Sequence, residues 1–120
     1  MKQRGIILLA HGSRDPLWRL PMETVAQLIT ERDPQLLVSC AYLELTQPDL
    51  ESAVIVMASK GLQSVTIVPM FLGLGKHAKE DIPLLMTVLQ QQHPGLDFTL
   101  QATVGENPRV LSVLAEVAAA

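Results

Sequence analysis

The chain has 120 residues, 48% hydrophobic, 3% aromatic and 18% charged, with a net charge of −3. This suits a single domain with one aliphatic core. The acidic balance and scattered lysines and arginines exclude a nucleic-acid binder, which carries a basic stripe. A lone cysteine, Cys40, excludes an internal disulfide and a cysteine-built metal centre.

Apolar runs alternate with segments of helical spacing. Residues 5–10 form a continuous aliphatic run, the pattern of a strand buried on both faces. The run is too short for a secretory core or a membrane span, so the chain reads as cytoplasmic, with no membrane partner. Residues 17–32 carry Leu17, Leu20, Val25, Leu28 and Ile29 at helical spacing, between a start at Asp15-Pro16 and a stop at Asp33-Pro34. A second strand is predicted over 36–43. Pro48-Asp49 opens a helix with Leu50, Ala53, Val54 and Met57 on one face, closing at Lys60-Gly61.

Residues 64–70 give the third strand, and a glycine-bearing loop follows. A helix is predicted from about residue 80 to Gln92, with Pro83 near its first turn and His93-Pro94-Gly95 at its end. Residues 97–102 alternate, with polar Thr99 and Gln101, as suits an edge strand. Asn107-Pro108 opens a last helix. The order βαβαβαβα predicts one three-layer α/β domain over 1–120, flavodoxin-like, with a four-stranded parallel sheet. Right-handed crossovers favour strand order 2-1-3-4.

Two of the three histidines stand past strand-like runs: His11 after the first, His77 beyond the third. In an open parallel sheet the loops after the carboxyl ends build the ligand site, and strands 1 and 3 flank the switch point. Two imidazoles at that edge point to metal handling or proton transfer. Each also has a plainer reading, His11 as a hydrogen-bonded loop residue and His77 as part of a helix start. A cation is unfavourable at a helix N-terminus, so a neutral imidazole suits His77. His93 ends a helix and reads as structural.

Glu44 follows the second strand at the same edge, where it is either a site carboxylate or a solvated loop acid. Ser13, Arg14 and Asp15 read as a turn with a helix cap, and the Arg14 fork also suits a substrate carboxylate. Lys76 and Lys79 add positive charge around His77. Glu80 and Asp81 read as acids of a helix first turn, and Cys40 as a small buried core residue.

Together these segments resemble the class II tetrapyrrole chelatases, in particular the short sirohydrochlorin chelatases of the CbiX/SirB group. The resemblance rests on Leu9-Ala10-His11-Gly12-Ser13-Arg14-Asp15, on Tyr42-Leu43-Glu44-Leu45 with Pro48, and on Pro69-Met70-Phe71-Leu72 through Gly75-Lys76-His77 to Lys79-Glu80-Asp81-Ile82-Pro83. One departure is Lys76, where relatives often carry a second glycine.

The resemblance implies a chelatase-like fold with active-site histidines at His11 and His77, serving as metal ligands and proton acceptors with Glu44 assisting. It implies insertion of Co²⁺ or Fe²⁺, and in archaeal relatives Ni²⁺, into sirohydrochlorin-type macrocycles of cobalamin or siroheme biosynthesis. It implies no organic cofactor, and a homodimer supplying the second lobe. Arg14, Lys76 and Lys79 are then candidate anchors for the macrocycle's carboxylates, and Ser13 a donor to a ring substituent.

Other readings of the residues fit less well. A histidine phosphatase needs an arginine where Ala10 stands. A phosphate-binding module wants a first loop richer in Ser, Thr and Gly. A non-enzymatic metal or tetrapyrrole carrier remains the alternative, and turnover discriminates it.

Overall fold

The computed structural model describes residues 4–120. The elements run β1 (Arg4–Ala10), α1 (Leu20–Arg32), β2 (Leu37–Tyr42), α2 (Leu50–Ser59), β3 (Ser64–Pro69), α3 (Lys76–Gln92) and β4 (Asp97–Leu100). A 3-10 turn (Val104–Glu106) then leads into α4 (Pro108–Ala119). The four strands form one parallel sheet in the order β2-β1-β3-β4, as the crossover rule predicts. β1 is central and pairs with both β2 and β3, Leu9 lying opposite Ala41 on one side and Pro69 on the other.

Being flanked on both sides, β1 buries residues on both faces, which is why its sequence does not alternate. Ile7 and Leu9 face α2 and α3, where they join Val54, Met57, Ile67, Ile82 and Leu89 in the larger core. Leu8 and Ala10 face α1, with Met22, Tyr42 and Val68. The α2 face of Leu50, Ala53, Val54 and Met57 is buried as its spacing predicts. Asp49 caps that helix by accepting the Ser52 N–H at 2.8 Å.

The structure differs from the sequence reading at several element ends. α1 starts at Leu20, because Asp15 closes a turn instead of opening a helix. Its carboxylate accepts the Leu17 N–H at 2.9 Å and its carbonyl the Trp18 N–H at 3.1 Å. The indole of Trp18 lies 5.8 Å from the Tyr42 ring and ties this turn to β2. The inward stripe of α1 is Met22, Val25, Ala26 and Ile29, whereas Leu17, Leu20 and Leu28 are exposed.

α3 starts at Lys76, ahead of the predicted position, because Gly75 at its N-cap is extended and the chain turns helical directly after it. Glu80 and Asp81 therefore fall in the second turn, and Pro83 sits inside the helix, where it has no N–H to donate. β2 and β3 each end a residue short of the predicted run, and β4 stops at Leu100. Gln101 still donates to the Ile67 carbonyl at 2.9 Å before the chain bends into the 3-10 turn. Cys40 is half-buried and not a full core residue, because β2 is an edge strand. Among the described residues no helix is long and apolar enough to cross a membrane.

Candidate active site at the carboxyl edge of the sheet

His11 leaves the sheet directly after β1, and the β1–β2 ladder continues past the strand ends to meet it. Leu43 donates to the Ala10 carbonyl at 2.9 Å, and Glu44 donates to the His11 carbonyl at the same distance. The carboxylate and the imidazole thus hang from neighbouring peptides of one ladder. Gly12 makes this approach possible. Its φ of 111° lies where side chains are strained, and a methyl group there would overlap the Glu44 carbonyl oxygen.

A second clamp holds the same two loops. The Thr46 hydroxyl accepts the Ser13 N–H at 3.0 Å and donates to the Ser13 carbonyl at 2.8 Å. Thr46 in turn donates its N–H to the Glu44 carbonyl at 2.7 Å across Leu45, whose φ of 63° is unusual for a branched residue. The Glu44 position is therefore over-determined, the condition under which a local strain persists.

Phe71, just past β3, supports His11 from beneath. The two ring centroids are 4.5 Å apart and tilted by 57°, a favourable edge-on contact. The backbone of Phe71 is gripped by the connection leaving β4. Buried Thr103 accepts the Phe71 N–H at 3.1 Å and donates to its carbonyl at 2.6 Å. Gly105 donates to the same carbonyl at 2.9 Å and lies so close to the Leu72 carbonyl that a methyl would not fit.

His77 comes to the edge on the first turn of α3. His11, Glu44 and His77 line one crevice of about 630 Å³, in the size range of small-molecule sites. Asp81, one helical turn after His77, lines it too; reading it as a dipole acid missed this, although the four-residue spacing was the available signal. The remaining wall is apolar: Leu43, Ala78, Leu84, Leu85 and Val88. The crevice thus offers two imidazoles and two carboxylates together with an apolar wall drawn largely from α3. Among the described residues no three His, Cys, Asp or Glu side chains draw close enough to form a metal cage.

The predicted anchors are arranged differently. Arg14 and Lys76 are exposed near the loops but do not line the crevice. Lys79 lines a separate cleft of about 290 Å³ with Leu100 and Glu106. The Ser13 hydroxyl accepts the Asp15 N–H at 3.1 Å, which makes it first a turn residue. His93 caps the end of α3, donating its N–H to the Leu89 carbonyl. The positioning roles of Thr46, Phe71 and Thr103 had no signal in the sequence pattern.

Comparison with known proteins shows the family to which the fold belongs. The CbiX family profile matches residues 5–120. The sirohydrochlorin cobaltochelatase of Methanopyrus kandleri is 35% identical over 82 residues, covering 68% of this chain and 57% of that protein. The chloroplastic sirohydrochlorin ferrochelatase of Arabidopsis thaliana is 29% identical over 110 residues, covering 92% of this chain and 49% of that protein. The chain thus spans only about half the length of these two relatives. A crystal structure described as a cobalamin (vitamin B12) biosynthesis CbiX protein, from Marinobacter aquaeolei VT8, superimposes with a TM-score of 0.84 at 34% identity, covering 97% of this chain and 94% of that one. With the profile spanning both histidine loops and the fold shared along its length, the chain belongs to the CbiX family.

Proposed function

We propose that this protein is a sirohydrochlorin chelatase, inserting a divalent metal into a sirohydrochlorin-type tetrapyrrole. The observation that carries the reading is the shared crevice of His11, Glu44 and His77 in a CbiX-family fold. The relatives named as cobaltochelatase and ferrochelatase support Co²⁺ and Fe²⁺ as metal substrates. Ni²⁺ suits the same imidazole donors and belongs to the proposal.

Insertion must strip water from the ion, bring it to the ring face and remove two pyrrole protons. Neutral imidazoles are suitable ligands for these ions and suitable proton acceptors. His11, braced by Phe71, is the fixed member of the pair; His77 lines the same crevice from the first turn of α3. Glu44, tied to the His11 peptide, takes a proton beside the two imidazoles. The apolar flank of Leu84, Leu85 and Val88 suits the flat face of a macrocycle, and Arg14 and Lys76, exposed on the neighbouring loops, are the proposed anchors for its carboxylates. Ser13 and Lys79 are weaker candidates for such contacts, given where they sit.

Read as one chelatase lobe over 1–120, the chain offers an open crevice, and a large macrocycle exceeds what that crevice encloses. A second copy closing over it, in a cytoplasmic homodimer, completes the reading, with no organic cofactor. The test is absorbance of sirohydrochlorin with purified protein and Co²⁺, Fe²⁺ or Ni²⁺ in turn. Conversion of macrocycle in excess over protein supports the enzyme. Conversion that stops at one equivalent makes the protein a carrier.

A further inference from the structure

Asp81 is a carboxylate for which the fold itself has no use. It stands in the second turn of α3, past the first turn where an acid favours the helix dipole. Its helical neighbours three and four residues away are His77, Ala78, Leu84 and Leu85, none of them a lysine or arginine. Among the described residues the one ion pair joins Arg19 to Glu23, so Asp81 has no basic partner there. It lines the crevice on the same flank of α3 as His77, in a stripe whose other members, Ala78, Leu84, Leu85 and Val88, are apolar. A lone acid in such a stripe points to a ligand that approaches from the crevice.

The surrounding charges say which ligand. Glu44 and Asp81 are the two carboxylates among the described residues that line the crevice, and no lysine or arginine lines it. This balance attracts a small dication and turns away the carboxylates of a large anion. His77 by itself is a poor seat for a dication, because the positive end of the α3 dipole opposes the charge. Asp81, one turn further in, supplies the negative charge that offsets it. Side chains four residues apart on a helix stand about 5–6 Å from each other at Cβ, the spacing at which one helix face offers a metal two ligands.

We infer that His77 and Asp81 form a two-point seat for the incoming divalent ion, occupied before the macrocycle arrives. The ion is held by one imidazole nitrogen and one carboxylate oxygen, with water in its remaining positions. Among the described residues no third His, Cys, Asp or Glu closes a cage. The hold is therefore loose, and the ion stays free to pass on to the ring. Asp81 is thus a metal-binding residue, with a task separate from that of Glu44. The inference rests on the chelatase reading for the identity of the cation, and its first test needs no turnover.

That test is calorimetric titration of the full chain with Co²⁺, without macrocycle. Asp81→Asn keeps the shape and removes the charge. It should bind Co²⁺ about tenfold more weakly than wild type, the order lost when a group supporting a metal site is removed. Asp81→Glu should recover most of the affinity. His77→Ala should lose as much as Asp81→Asn, and the double variant little more than either, because a two-point seat is lost whole. Asp81 is exposed, so circular dichroism should be unchanged in each case. In turnover the loss should fall on the KM for Co²⁺ and not on the KM for sirohydrochlorin. Unchanged Co²⁺ affinity in Asp81→Asn overturns the inference and leaves the chelatase reading standing. Weakened affinity in a protein that never turns over sinks the chelatase reading and leaves the seat. A wild type that takes up no Co²⁺ by about 1 mM, the weak end of metal-site affinities, overturns the inference, and so do losses that simply add in the double variant.

Discussion

The Glu44 N–H donates to the His11 carbonyl at 2.9 Å, so two groups of the crevice move with one peptide ladder. Gly12, next in the chain, is what lets the loops approach. Gly12→Ala introduces a methyl where the Glu44 carbonyl already lies and forces a side chain onto a φ of 111°. The expected cost is about 1–3 kcal/mol of stability. The Glu44 loop is displaced at the same time, so metal insertion should fall further than the lost fraction of folded protein explains. A urea midpoint and an insertion rate on the same sample separate the two effects.

Phe71→Leu keeps most of the buried volume and removes the ring beneath His11. Stability should drop by less than about 1.5 kcal/mol, whereas turnover should slow at saturating macrocycle. Thr103→Val acts one step further back. It leaves the buried Phe71 N–H without its hydroxyl acceptor and should cost about 1–3 kcal/mol. Thermal melts with parallel kinetics check both; a Phe71→Leu enzyme with full turnover would show that the ring contact does not position His11.

The β2 edge carries two groups held in their protonated forms. Burial pushes the Cys40 thiol above its usual range. Burial, then Cys40 and Glu23, push the Tyr42 hydroxyl up to about 12. Both folded values lie above the unfolded ones, so their contribution to stability is complete below the ordinary thiol and phenol range. It is lost as pH rises through the folded values. Denaturant midpoints should therefore fall on the alkaline side, and Tyr42→Phe should flatten that fall. At neutral pH Cys40 should react slowly with thiol reagents. A thiol that reacts as fast as free cysteine at pH 7 would contradict its burial.

Much of the fold is legible in the sequence because β1 and β3 are buried on both faces and so read as unbroken aliphatic runs. The α2 stripe is legible because its helix lies flat on the sheet. The start of α1 is not: Leu17 and Leu20 have helical spacing, but the Asp15 side chain caps a turn there, and local capping outweighs periodicity. The start of α3 is missed for a related reason, since loop glycines hide a helix that begins at Lys76. For the site, the order of strands brings His11, Glu44 and His77 to one edge, which pattern and topology together foresee. Phe71 and Thr103 are not foreseeable, because their roles come from tertiary contacts between segments more than thirty residues apart.

The imidazoles themselves are exposed loop and helix-end groups, so removing them takes nothing from the core. His11→Ala and His77→Ala should each keep the wild-type circular dichroism and melting temperature within about 0.5 kcal/mol of stability. The most direct measurement of the central claim is the steady-state insertion rate of Co²⁺ and Fe²⁺ into excess sirohydrochlorin by wild type, by each variant and by the double variant. The account predicts multiple turnovers for wild type, at least a tenfold loss in each single variant, one histidine being worth roughly 10²-fold as acid–base catalyst, and only the background rate in the double variant. A folded double variant that inserts metal at the wild-type rate would contradict it.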